Sequence, residues 1–129
     1  MPTEDYPAAA RRCCRDGRVL LEKGRYPNAT HLFGLAAECA LKTAMRSLPG
    51  PNRNLPSTHL PELIDGAHRW LQGRRFNGLR QLLEKADFME GWEIDSRYWP
   101  DEAFTEEGCR FYFDHARRTL RAVELEDPC

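Results

Sequence analysis

Long apolar runs are missing from this 129-residue sequence; no window approaches the roughly 18 consecutive hydrophobic residues of a membrane span. The start Met1-Pro2-Thr3-Glu4-Asp5 lacks the charged-then-apolar order of a signal peptide, so a cytoplasmic location and no membrane partner are expected. Charge of a single sign is missing too. Nineteen Lys+Arg stand against twenty Asp+Glu, a formal net charge of -1, so only a local basic patch, and no global field, could recruit nucleic acid. The five cysteines, Cys13, Cys14, Cys39, Cys109 and Cys129, are odd in number and include no C-x-x-C pair, which speaks against a zinc knuckle or a fully paired disulfide framework. Cys13, Cys39 and Cys109 fall within helical apolar patterns, where a reduced cysteine behaves as a small buried hydrophobe, and Cys129 is expected to be exposed. His31, His59, His68 and His115 show no H-x-x-x-H or H-E-x-x-H spacing, so neither a metal nor another cofactor is expected. Segments that alternate apolar and polar residues with β-branched enrichment are absent, which predicts an all-α fold.

What is present, 41 % hydrophobic and 30 % charged residues, fits one globular domain over residues 1–129. A first helix is predicted from Pro7 to Lys23, with Ala8, Ala9, Cys13, Val19, Leu20 and Leu21 apolar and Gly24 as its stop. A second, with Asn28 as its candidate cap, runs to about Leu48. It is the most apolar stretch: Leu32, Leu35, Ala36, Cys39, Ala40 and Thr43 share one face and Phe33, Ala37, Leu41, Ala44 and Met45 widen it, which predicts a central helix. Pro49, Gly50, Pro51 and Pro56 make Leu48 to Thr58 a loop, after which Ser57 or Thr58 can cap a helix carrying Leu60, Leu63, Ile64, Ala67, Trp70 and Leu71. A shorter helix bears Leu79, Leu82, Leu83 and Ala86. Gly91 to Phe104 reads as an ordered loop whose aromatic residues Trp92, Tyr98 and Trp99 are expected to be packed, together with Arg97. Thr105, followed by Glu106 and Glu107, resembles the capped start of a last helix that ends near Leu125.

That last helix has two notable sides. Tyr112, Phe113, Ala116, Leu120 and Val123 lie within about 60° of Cys109 and form its core face. Phe111, His115, Arg118 and Ala122 lie on the far side, where a helix with one buried face would carry charges only; a contact with another chain is one reading and a lone exposed aromatic the other. Arg110 and His115 are separated by four residues and about 140° around the axis, and would converge only across an interface or along the arginine stem. Arg110 can also pair with Asp114 at i+4 and be no more than a solvated charge.

The run Gly24-Arg25-Tyr26-Pro27-Asn28-Ala29-Thr30-His31-Leu32-Phe33-Gly34-Leu35-Ala36-Ala37-Glu38-Cys39-Ala40-Leu41-Lys42 resembles the second helix of HEPN domains. Thr58-His59-Leu60-Pro61-Glu62-Leu63, and Trp92 with Asp95-Ser96-Arg97-Tyr98 ahead of the final helix, fit the same family, so the resemblance spans nearly the whole chain. It implies an antiparallel up-and-down bundle of four or five helices, commonly a homodimer, in a toxin-antitoxin or defence system with a nucleotidyltransferase-fold antitoxin as partner. Many members are metal-independent ribonucleases with an Arg and a His four to six residues apart at the dimer interface, and Arg110-Phe111-Tyr112-Phe113-Asp114-His115 has that spacing. His115 would then move protons and Arg110 would neutralise the phosphorane during cleavage of RNA by its own 2′-hydroxyl. Phe111 departs from the pattern, which usually has a polar residue there, and a non-catalytic dimerisation or partner-binding module is the other reading the resemblance allows. Glu38 and Lys42, one helical turn apart, are expected to pair with each other or to reach together into a cleft.

Overall fold

The computed structural model describes residues 2–48, 55, 57–71, 75–125 and 129. Among them are five α-helices and no strand: α1 (Tyr6–Glu22), α2 (Tyr26–Arg46), α3 (Glu62–Trp70), α4 (Asn77–Leu83) and α5 (Glu106–Ala122), with 3-10 turns at Ile94–Tyr98 and Asp101–Ala103. None of these helices is long and apolar enough to cross a membrane. Most of the predicted loop between Leu48 and Thr58 lies outside the described residues.

Asp5 opens α1 by accepting the Ala8 amide at 3.0 Å, and Gly24 closes the hairpin at φ +75°, a left-handed conformation that glycine adopts without a Cβ penalty. The three-residue link folds α2 back antiparallel on α1. The buried stripe of α1 is Ala10, Cys14, Gly17 and Leu21, rotated from the predicted one, and Val19 is exposed. Small residues set this register, because at Gly17 the Phe33 ring of α2 comes so close that a Cβ would stand 2.6 Å from Phe33 Cε1. α2 starts earlier than Asn28, at Tyr26: Pro27, with its fixed φ, suits the first turn, and Arg25 is the cap residue. As predicted it is central, touching α1, α3, α5 and the first 3-10 turn. Its fully buried apolar residues are Ala29, Phe33, Ala36, Ala37, Ala40, Leu41, Ala44 and Met45, while Leu32, Leu35, Cys39 and Thr43 are only half-buried.

α3 begins at Glu62 behind Pro61, with no side-chain cap from Ser57 or Thr58. Residues 57–60 run instead towards α2, where the Leu60 amide finds another acceptor. α5 opens as predicted, with Thr105 Oγ1 accepting the Gly108 amide at 3.0 Å, and its core face is held on α2 by stacking of Phe113 on Phe33 at 5.0 Å between centroids.

Two expectations about side chains are corrected. Cys129 is not a free exposed thiol. It is bonded to Cys14, the cysteine wholly buried in α1, and Arg18 donates to the Cys129 carbonyl at 2.6 Å. The partners are 115 residues apart, so no local spacing could announce the bond. Cys13, Cys39 and Cys109 are free, with only Cys109 fully buried; burial pushes the Cys39 thiol up to about 12. In the loop before α5, Trp92 is buried but Tyr98 and Trp99 are 75 % and 42 % exposed. The 3-10 turn accounts for this, turning Ser96 inward and its two aromatic successors outward.

Candidate functional site on the last helix

Arg110 and His115 leave α5 in different directions and enter different environments. Arg110 is exposed, and its Nε and Nη2 both lie 2.9 Å from Glu106 Oε2, one turn back on the same helix. Tyr26 donates to the other oxygen of Glu106 at 3.2 Å. Hydrogen bonds from Arg110 and Tyr26, with the Arg110 charge, hold the Glu106 carboxyl below its ordinary value. Asp114 pairs with Arg118 at 3.0 Å rather than with Arg110.

His115 is 5 % exposed, and the far-side reading needs correction here. A helical wheel places the ring away from α2, but the segment after α4 folds back over it. Phe88 stacks on the imidazole at 5.9 Å and Phe111 at 4.1 Å between centroids. His115 Nδ1 accepts the Met89 amide at 2.9 Å, and Tyr112 donates to the Glu90 carbonyl at 2.5 Å. Met89 itself sits at φ +50°, a left-handed conformation unfavourable for a residue with a long side chain, and these contacts from α5 hold it there. His115 and Tyr112 thus clamp the turn at Phe88–Gly91. Because Nδ1 accepts a hydrogen bond, the neutral ring carries its proton on Nε2.

Burial lowers the His115 pKa, against a smaller opposing pull from Asp87 and Asp114; burial and Arg97 lower that of His31 likewise. A histidine with a depressed folded-state pKa binds protons better in the unfolded chain. Its stabilising contribution is complete above the unfolded value of about 6.5 and is lost as pH falls towards the lower folded value. Urea unfolding from about pH 7.5 to pH 5 should show wild-type stability falling more steeply than that of His115→Gln, which keeps an acceptor but does not titrate. Equal slopes would show that the ring is not held neutral.

The predicted interface residues remain near the surface. Phe111 is half-buried, in an edge-to-face contact with Tyr112 and a tilted one with His115. Arg118 and Ala122 line a groove of about 380 Å³ between α4 and α5, together with Gly78, Gln81, Leu82, Lys85 and Arg121. Leu82 and Ala122 are the apolar side chains of its lining, and among the described residues no carboxylate lines it.

The family model of the HEPN domain matches residues 3–126. This chain belongs to the HEPN family. No curated protein and no solved structure matches it. The all-helical bundle is the architecture expected of a HEPN domain, and α2 is its centre.

Glu38 and Lys42 of this HEPN domain do not form the predicted pair. Glu38, 3 % exposed, points to the segment before α3: Oε1 accepts the Leu60 amide at 2.8 Å and Oε2 lies 3.0 Å from His59 Nδ1. The Lys42 ammonium lies over the Tyr6 ring, 5.7 Å from its centroid, on the α1 side. The i, i+4 spacing was real, but long-range partners satisfy each charge better than the exposed neighbour geometry that spacing describes. Sequence reasoning also missed the role of Met89, whose amide carries no signal in its residue type.

Proposed function

We propose that this HEPN domain acts as a dimerisation and partner-binding module of a prokaryotic toxin-antitoxin or defence system, working in the cytoplasm, rather than as a ribonuclease. The state of His115 carries this reading. A general base needs a free imine nitrogen within reach of the substrate; here the imine nitrogen Nδ1 is taken by the Met89 amide under two aromatic rings. Arg110, the other half of the pair, already has a carboxylate partner. The residues that face outward are Phe111, Arg118 and Ala122, and the proposed contact, with a second copy or with a nucleotidyltransferase-fold antitoxin, uses them around the α4–α5 groove.

The second reading, metal-independent cleavage of RNA at a dimer interface, is favoured by one observation, the Arg110-x4-His115 spacing on a single helix. It requires His115 to release Met89 and Arg110 to leave Glu106. The test is incubation of wild type, Arg110→Ala and His115→Ala with mixed single-stranded RNA in EDTA. No cleavage, or cleavage equal in all three, is the expected result. Wild-type activity that falls about a hundredfold in either variant would overturn the binding-module reading. In sedimentation the wild type should be a dimer and Ala122→Arg, which adds a bulky cation beside Lys85, Arg118 and Arg121, a monomer. Dimerisation unaffected by Ala122→Arg and by Phe111→Glu would place the contact elsewhere.

A further inference from the structure

A second site lies on the opposite side of Tyr112, where the 3-10 segment before α5 meets the start of α2. A half-open cavity of about 60 Å³ is lined there by four aromatic residues, Trp92, Trp99, Phe104 and Tyr112, with Thr30, Gly91, Ser96 and Ala103 between them. Most polar groups in its wall are already committed. Trp92 Nε1 donates to the Thr30 carbonyl at 2.9 Å, and the Tyr112 hydroxyl donates to the Glu90 carbonyl. Ser96 is the exception: the residue is 2 % exposed and its hydroxyl has no hydrogen-bond partner. A buried hydroxyl left unpaired is destabilising, so its retention in a wall of aromatic rings points to an occupant.

The chemistry of that occupant follows from charge. Among the described residues, no charged side chain lines the cavity. The segment that builds it, residues 90–102, carries the carboxylates Glu90, Glu93, Asp95, Asp101 and Glu102 against one guanidinium. That guanidinium, Arg97, lies over the exposed Tyr98 ring, 4.8 Å from its centroid. Aromatic rings present negative quadrupole faces, and walls built from several of them hold organic ammonium ions in preference to neutral groups of the same shape. Trp99, 42 % exposed and 6.4 Å from Phe104 between centroids, forms the outer wall. Phe104 also borders a wider depression of about 410 Å³, lined by Arg25, Tyr26 and Asp101 among others.

We propose that this cavity binds a small alkylammonium ion, its methyl or methylene groups against Trp92, Trp99, Phe104 and Tyr112 and its N–H donated to Ser96 Oγ. The site is separate from Arg110 and His115, and stands whether or not the domain cleaves RNA. The probe is trimethylammonium chloride, titrated at constant ionic strength while the Trp92 indole N–H and the amides of residues 91–96 are followed by NMR. Saturable shifts with a Kd of about 1 mM are expected, a size set by the few heavy atoms of the probe. The neutral isostere tert-butanol should bind about tenfold more weakly. Trp99→Leu, a change at an exposed position, should abolish the shifts with the spectrum otherwise intact. Ser96→Ala should weaken trimethylammonium but not tetramethylammonium, which has no N–H to donate. Equal affinity for tert-butanol, unchanged binding by Trp99→Leu, or no saturation at about a hundredfold higher concentration would each overturn the proposal and leave the cavity to ordered water.

Discussion

Gly34→Ala should destabilise the protein by about 3 kcal/mol or more, at the upper end of what overpacking a core costs. Gly34 lies on α2 beneath the Trp92 indole, where a Cβ would stand 1.8 Å from Trp92 Cε2 and 2.2 Å from both Cζ2 and Nε1. The ring has no room to retreat. It is 2 % exposed, its Nε1 is bound to the Thr30 carbonyl one turn earlier on the same helix, and His31 stacks over it at 6.2 Å. One methyl group must therefore displace either the indole or the whole segment that carries it, including the turn held by Tyr112. Thermal unfolding should show the loss as a fall in Tm of about 10 °C. A fall of less than about 2 °C would mean that the loop before α5 is peripheral to stability.

Glu38→Ala is expected to cost about 1–3 kcal/mol, because it removes the acceptor of a buried amide. The Leu60 N–H would be left without a partner and the segment into α3 without its tether to α2. Glu38→Gln should recover part of the loss, since its amide oxygen can still accept from Leu60. His59→Ala should cost no more than about 1 kcal/mol, its ring being largely in solvent. Chemical denaturation of the three variants checks the order. If Glu38→Ala and His59→Ala lost equally little, the carboxylate would be a surface feature.

These two residues also show how far the sequence could be read. The Thr105 cap and the stop at Gly24 are local events, and each stands where propensity and pattern place it. Gly34 reads only as a small residue in a helix, since nothing nearby in the chain indicates that Trp92, 58 positions on, will lie across it. Glu38 has a plausible partner at Lys42, but the energy of a buried carboxylate is decided by which amide reaches it, and Leu60 arrives through a loop. His115 is the sharpest case. The helical wheel is right about its direction from the core of α5, while the covering turn at Phe88 and Met89 comes from another element, so an outward histidine becomes a buried one. The aromatic cavity was equally hidden, because whether Trp99 points in or out depends on a 3-10 turn with no periodic signature.

The Cys14–Cys129 bond gives the chain a closed covalent circuit through every helix from the middle of α1 onward. A single peptide cleavage anywhere in that circuit nicks the molecule without dividing it, so a clipped protein would keep its mass until reductant was added. In a compartment whose glutathione keeps thiols reduced, the circuit opens and the same cut releases two pieces. The fragment pattern of this domain on non-reducing and reducing gels is therefore a record of the redox surroundings in which it was kept.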